Sequence, residues 1–368
     1  MKKIIIAPDS FKETMSNVEV TNIIFDNLCK KYKDYEYKLL PIADGGEGSL
    51  NTFLMCGGSM FSTPSTSANF ELCEASYILL NDSIIIEVAQ NVGFKFKKSS
   101  SNPGNTTTYG VGEVLKEALK SKSKKVYFCL GGTITNDGGC GLASSLGIKF
   151  FDKENNEFIP TGDSLLEIDR IDNTMFIEKY SDLEFIGLCD VTNPLHGLNG
   201  ASYIFSPQKG ASQNQVITLD EGLKHLEKIV IRDLNIDCAN YPGCGAAGGL
   251  GYSILAFLNG KLKNGIETIL ELIEFENEIN DETVVITGEG KLDNQSLNGK
   301  VISGILKKVK NKKAKLIVIV GKLEGEKEDY LSKGIDEIYV TNEEGLSFEE
   351  VKIKCKEQLA NCIQKIKI

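Results

Sequence analysis

Three short segments of this 368-residue chain combine residues able to handle a polar ligand: Asp9-Ser10-Phe11-Lys12, Asp44-Gly45-Gly46-Glu47-Gly48 and Gly288-Glu289-Gly290-Lys291-Leu292-Asp293. Each carries an acid, and two carry a lysine. Carboxylates accept protons or hold hard cations, and a lysine beside them neutralises phosphate or carboxylate charge. A fourth segment, Gly131-Gly132-Thr133-Ile134-Thr135-Asn136-Asp137-Gly138-Gly139, puts hydroxyls, an amide and a carboxylate in one glycine loop. That set suits a hydroxy acid, a sugar-like ligand or phosphate. In a fifth, Cys189-Asp190-Val191-Thr192-Asn193-Pro194, Asp190 falls where a strand end would expose it, or where an Asp simply forms a turn. Gly243-Cys244-Gly245-Ala246-Ala247-Gly248 matches the GxGxxG dinucleotide pattern, but Asp237–Pro242 before it carries turn signals instead of a strand. What remains there is a glycine loop opening a helix predicted over Ala246–Leu258. Its free N–H groups suit an anion, and close packing through small residues is the plain alternative.

The residue types that are absent narrow the chemistry. No Walker A sequence occurs, and there are only two histidines, His196 in a turn and His225 on a predicted helix. A histidine-based triad and a zinc pair are therefore unsupported. Carboxylates must move the protons, with lysines and backbone N–H groups supplying positive potential. Phosphoryl transfer uses such a set, because it depends on positioning and charge neutralisation. A nicotinamide-dependent hydroxy-acid dehydrogenase using Gly243–Gly248 and a non-catalytic hydroxy-acid sensor stay as alternatives.

Composition removes other classes. Against 51 acidic residues stand 41 Lys and Arg, a net charge of -10, so a general nucleic-acid binder is excluded. Ten cysteines without a CxxC pair, behind a start that lacks a signal peptide, read as reduced thiols of a cytoplasmic protein. The uncharged stretch Cys238–Gly260 is broken by Asn240, Pro242 and several glycines, and its continuous apolar part is too short to span a bilayer.

The loops need elements to carry them. Lys3–Ala7 is an apolar, β-branched run, the pattern of a strand buried on both faces. Ser16 and Glu19 have capping-box spacing before Val20, Ile23, Ile24 and Leu28, and Tyr37–Ile42 reads as a second strand. Strands are predicted again over Thr283–Thr287, Leu316–Val320 and Glu337–Val340, with helices over Val301–Val309 and from Ser347 onward. The fold class is α/β: a Rossmann-like parallel-sheet domain over 1–65 and 210–368, with a second α/β domain inserted at 66–209. In open parallel sheets, ligands bind outside the carboxyl ends of strands, which is where the acidic loops fall.

Taken together, the segments resemble the type I glycerate kinases. The resemblance is carried by Ile4–Lys12, Leu40–Gly48, Thr106–Glu113, Gly131–Gly139, Cys189–Pro194 with Asn199–Ser202 and Pro207–Ala211, Pro242–Gly249 and Val285–Asp293, all in the family's order. Lys291 stands where that family usually has Arg, and Glu13-Thr14 where it usually has Gly-Ser. The resemblance implies ATP-dependent phosphorylation of D-glycerate with Mg²⁺, giving 2-phosphoglycerate, in an active-site cleft between two α/β domains. Lys12, Lys291 and Asp190 are the candidate catalytic residues, Asp190 as general base or as magnesium ligand. Substrate binding is expected of Asp9, Ser10, Phe11, Asp44, Gly45, Gly46, Glu47, Asn136 and Asp137. Phosphate or nucleotide binding is expected of Gly243, Gly245, Ala246, Thr287, Gly288, Glu289 and Gly290. The expected partners are glycerate and ATP, with no nucleic acid and no membrane; a homodimer stays open.

Overall fold

The computed structural model describes residues 2–100, 102–293, 296, 300–310, 312–343 and 345–368. It divides the chain into two units, Met1–Asp44 with Asn51–Gly57 and Asn264–Ile368, and Gly45–Leu50 with Gly58–Lys263. No helix among the described residues is long and apolar enough to cross a membrane.

The first unit is built on five parallel strands in the spatial order Glu337–Val340, Lys315–Leu323, Thr283–Leu292, Lys3–Ile6, Glu36–Leu39. Strand side chains alternate between faces, so Ile5, Val285, Leu316 and Val318 feed one core while Ile4, Ile6, Ile286, Ile317 and Ile319 feed another. A sheet covered on both faces needs such continuous apolar runs. The helices Asn17–Lys31 and Phe348–Ile363 start at capping boxes, Ser16 with Glu19 and Ser347 with Glu350. Each cap satisfies N–H groups that the first helical turn leaves unpaired, which is worth about 1 kcal/mol. Lys3–Ile6 is an inner strand, although it is the first element of the chain and its partner Thr283–Leu292 lies far along the sequence.

The second unit carries a six-stranded sheet. Lys261–Lys263, Glu184–Leu188, Lys125–Cys129 and Ser83–Glu87 run parallel, and Leu72–Leu80 and Ser59–Thr66 continue antiparallel to the edge. A small antiparallel sheet, Glu157–Phe158, Lys149–Phe151 and Arg170–Asp172, stands beside it in the same unit. The limits of this unit differ from the expected 66–209. Ser59–Thr66 pairs along its whole length with Leu72–Leu80, and Lys261–Lys263 pairs with Glu184–Leu188. Between these limits the helix Gln213–Leu234 sinks Leu223, Leu226 and Val230 into the unit's core. Strand pairing and apolar burial, both invisible in composition, draw 58–65 and 210–263 into this unit.

Candidate active site

In the first unit the acids gather where the strands end. Past Ile6 the chain stays in register with its neighbours: Ala7 N–H donates to the Ile286 carbonyl (2.7 Å), Asp9 N–H to that of Gly288 (2.8 Å), and Ile42 N–H to that of Pro8 (2.9 Å). These bonds hold Asp9 at the carboxyl edge of the sheet, only 6% exposed, with Oδ1 accepting from Ser10 N–H at 2.6 Å. Lys12 Nζ lies 3.8 Å from Asp44 Oδ2, its side chain largely in solvent. Glu289 is buried, and its Oε1 has no hydrogen-bond partner.

The electrostatics follow from three carboxylates sharing one nearby lysine. Burial, and after it the Asp44 carboxylate, pushes Asp9 up to about 8. Burial likewise pushes Glu289 up to about 7, against the Ser296 hydroxyl and the charge of Lys300. Lys12 is held above the usual lysine range, chiefly by Asp44 and further by Asp9 and Glu289. Burial, more than any shortage of cations, keeps Asp9 and Glu289 raised, and a cation beside them would favour their charged forms.

Several expected site residues have other duties. Phe11 is 3% exposed and packs in the apolar cluster with Ile4, Met15 and Val20, because a large ring gains more from burial than from a polar site. The predicted loop Gly288-Glu289-Gly290 is strand instead. Thr283–Leu292 continues through it, with Glu289 opposite Val320 and Lys291 opposite Lys322. Gly288 is required there because a Cβ would come 2.1 Å from the Ile319 carbonyl oxygen of the adjacent strand. Thr287 is buried and donates its hydroxyl to the Ala7 carbonyl (2.8 Å), tying two strands together. Of this group Glu289 alone brings charge to the acidic cluster. Lys291 is exposed and pairs with Asp293 (3.2 Å) and Glu324 (2.9 Å), which offset its charge locally.

In the second unit, Gly45–Gly48 forms a tight loop before the helix Ser49–Met55, with Glu47 exposed. Its anchor is Glu87, a buried carboxylate at the end of the apolar run Ser83–Glu87. Glu87 Oε2 accepts from Gly48 N–H and Leu50 N–H, both at 3.1 Å, and Oε1 accepts from Gln90 at 3.1 Å. Burial raises the Glu87 carboxyl, and these hydrogen bonds pull the other way. Glu87 was not among the residues the sequence suggested; a charge closing an apolar strand was the signal available.

Asn136 and Asp137 are wholly buried, and their hydrogen bonds run inward. Asp137 accepts from Thr108 N–H (2.8 Å), the Thr108 hydroxyl (2.7 Å), Gly139 N–H (3.1 Å) and Gly141 N–H (3.2 Å), which fixes the start of the helix Cys140–Ser145. Asn136 donates to Ser202 and accepts from Ser206, each at 3.1 Å. Both expected substrate contacts are thus loop-fixing groups. Asp190 lies just past the strand Glu184–Leu188 and is half-buried, where a strand end was expected to expose it.

The segment Gly243-Cys244-Gly245-Ala246 is buried and follows turns, so the strand that a dinucleotide fingerprint requires is missing. The expected helix over Ala246–Leu258 is a short 3₁₀ turn, Ala246–Gly249, followed by a helix over Leu250–Ala256. Gly248 has φ +68°, and a Cβ there would stand 2.0 Å from the Thr135 carbonyl oxygen; Gly245 N–H donates to the Asn193 carbonyl (2.9 Å). Close backbone approach explains these glycines. His196 pairs with Glu227 (2.8 Å), and His225 donates to the Ile168 carbonyl (2.7 Å), so both histidines are structural.

Among the described residues no group of three or more His, Cys, Asp or Glu could hold a metal ion. Mg²⁺ commonly takes one or two carboxylates and fills its shell with water and phosphate. The unpartnered Glu289 Oε1, with Asp9 beside it, fits that habit.

The profile of the glycerate kinase family matches residues 4–367. The chain is 38% identical over 341 residues to glycerate 2-kinase of Escherichia coli K12, covering 92% of this chain and 90% of that protein. Over 341 residues it is 34% identical to glycerate kinase of Bacillus subtilis 168, covering 92% and 89%. The crystal structure of a Salmonella typhimurium LT2 protein assigned as glycerate kinase 2 superposes with a TM-score of 0.83 at 32% identity, over 99% of this chain and 96% of that one. With the seven segments set out above, the match over nearly every residue means that the chain belongs to the glycerate kinase family of enzymes.

Proposed function

We propose that the protein transfers the γ-phosphoryl group of ATP to D-glycerate, with Mg²⁺, to give 2-phosphoglycerate. The observation that carries this reading is the cluster of Asp9, Lys12, Asp44 and Glu289 at the carboxyl edge of a parallel sheet, in a member of the glycerate kinase family. Phosphoryl transfer asks the protein for positioning and charge neutralisation, and that cluster offers both. Lys12, protonated at all working pH values, faces the charge of the transferring phosphoryl group or of the glycerate carboxylate. Glu289 and Asp9 would hold Mg²⁺, which when bound neutralises phosphate charge. A cation held there would favour the charged forms of both acids, which burial disfavours. Asp44, within the cluster, and Ser10, next to Asp9, suit the substrate's hydroxyls. In the second unit, Glu87 fixes Gly45–Gly48 so that the exposed Glu47 is set for a polar ligand. Asp190 takes the proton of the attacking hydroxyl late in the transfer.

A coupled assay for ADP formed on addition of glycerate tests the reading, and phosphorus NMR identifies the product. We expect ADP formation that needs both glycerate and Mg²⁺, and a 2-phosphoglycerate resonance. Absence of ADP would refute the assignment, and a 3-phosphoglycerate product would refute its regiochemistry.

A further inference from the structure

Lys209 ends the helix Ala201–Lys209 and is 3% exposed. A buried ammonium is costly unless it is paired, yet among the described residues no carboxylate forms an ion pair with it. Its Nζ donates to the Thr135 carbonyl at 2.7 Å and to the Thr133 hydroxyl at 3.4 Å. Two turns earlier on the same helix face, Ser202 accepts from Asn136, and one turn earlier Ser206 donates to Asn136, each at 3.1 Å. Ser202, Ser206 and Lys209 stand at i, i+4 and i+7, the spacing of a single helix stripe. All three are buried and all three are spent on Thr133–Asn136. Burial drives Lys209 down to about 7, with Asp137 opposing, so the surroundings were not arranged to make the charge comfortable.

A residue needed only to fill this space would be apolar, since an unpaired buried charge carries a desolvation cost that a hydrophobic side chain avoids. The Thr135 hydroxyl, wholly buried, also lacks a partner. Cation and free hydroxyl therefore sit behind a glycine loop whose Gly132 is exposed.

We infer that Lys209 is a positioning residue of the phosphoryl-transfer reaction, holding the backbone of Gly131–Asn136 in the one conformation that meets the substrate. The part of this inference that concerns catalysis rests on the proposed glycerate kinase activity; the part that concerns the loop does not. Lys209 acts through Thr133 and Thr135, in contrast to Lys12, whose ammonium is open to solvent.

The test compares the wild type with Lys209→Met, which keeps length and removes the charge and donors. Kinetics, thermal unfolding and amide hydrogen exchange are measured on the full chain. We expect kcat to fall about 100-fold, as for a misplacement on the order of 1 Å in a site, with KM for ATP changed less than about threefold. Exchange in the 131–136 segment should quicken at least about tenfold, while Tm holds or rises. A kcat within about threefold of wild type overturns the inference, as does a loss of kcat with exchange in 131–136 unchanged. If Lys209→Met does not fold, Lys209→Gln, which retains a donor, is measured in the same way. Failure of both to fold overturns the inference in favour of a purely structural lysine. A wild type that forms no ADP with glycerate refutes the proposed activity instead, and the exchange comparison still decides whether Lys209 orders the loop.

Discussion

Lys12 and Asp190 are the residues on which the proposed chemistry leans most. Removing a fixed charge from a phosphoryl-transfer site costs about 2–4 kcal/mol of transition-state stabilisation, so Lys12→Ala should lower kcat/KM roughly 30- to 1,000-fold. Steady-state kinetics of the variant at saturating Mg²⁺ check this, and near-normal kcat/KM removes Lys12 from the mechanism. Asp190→Asn keeps the side-chain shape and loses the charge. If Asp190 is the base, kcat falls while glycerate and nucleotide still bind, as calorimetry would read. Recovery of activity at high Mg²⁺ would instead make it a metal ligand. Asp9 gives a prediction about stability. Its carboxyl is raised to about 8 in the fold against an unperturbed value near 4, so between roughly pH 4 and 8 the native state holds a proton that the unfolded chain has lost. Its contribution is complete below pH 4 and fades as pH climbs through 8; Glu289, raised to about 7, acts in the same direction. Asp9→Asn resembles the protonated form and should raise Tm by roughly 2–5 °C at pH 8.5 and leave it little changed at pH 5. Calorimetric scans at the two pH values measure this, and an equal shift at both would show that charge is not the cause.

At the level of elements, the glycine-rich segments divide into two kinds. Gly45–Gly48 is a true loop, held by a buried acid on a neighbouring strand. Gly288 and Gly248 serve close backbone approach, the first between paired strands and the second against Thr135. Gly248→Ala therefore brings both a clash with a carbonyl oxygen and a strained positive φ, and neither can relax by moving a flexible side chain. It should destabilise by about 2–4 kcal/mol, seen as a fall in Tm of roughly 5–10 °C. Differential scanning calorimetry tests this. A shift under about 2 °C would mean that the segment repacks freely.

At the level of the whole molecule, the two units differ in how they use the chain. Strands of the five-stranded sheet come from both ends of the sequence, with Lys3–Ile6 lodged between Thr283–Leu292 and Glu36–Leu39. All six strands of the other sheet come from Ser59–Lys263. A fragment covering 58–263 should then fold alone with a cooperative thermal transition, because its strand pairs and main core are internal to it. A fragment covering 264–368 should not, since it leaves the inner edge of Thr283–Leu292 unpaired. Far-UV circular dichroism melts distinguish the two outcomes. A cooperative 264–368 fragment would show that the first two strands are dispensable.

Local pattern sufficed for much of this protein. Apolar runs marked the strands Lys3–Ile6, Lys315–Leu323 and Glu337–Val340, and Ser-x-x-Glu spacing marked the starts of both capped helices, because strand burial and capping depend on near neighbours in the chain. Asp9, Lys12, Asp44 and Glu289 were also legible as candidates, since charged residues beside apolar runs stand out. What pattern could not supply was direction and depth. Whether Asn136 and Asp137 face a ligand or the interior depends on Ser202, Ser206 and Thr108, which lie some 30–70 residues away in sequence. Gly288-Glu289-Gly290 reads as a loop until Lys315–Leu323 pairs beside it and makes it strand. Phe11 belongs to a core that exists only once Ile4, Met15 and Val20 pack together. Glu87 and Lys209 are ordinary charged residues in a string of letters, and only the fold that removes water from them makes them consequential.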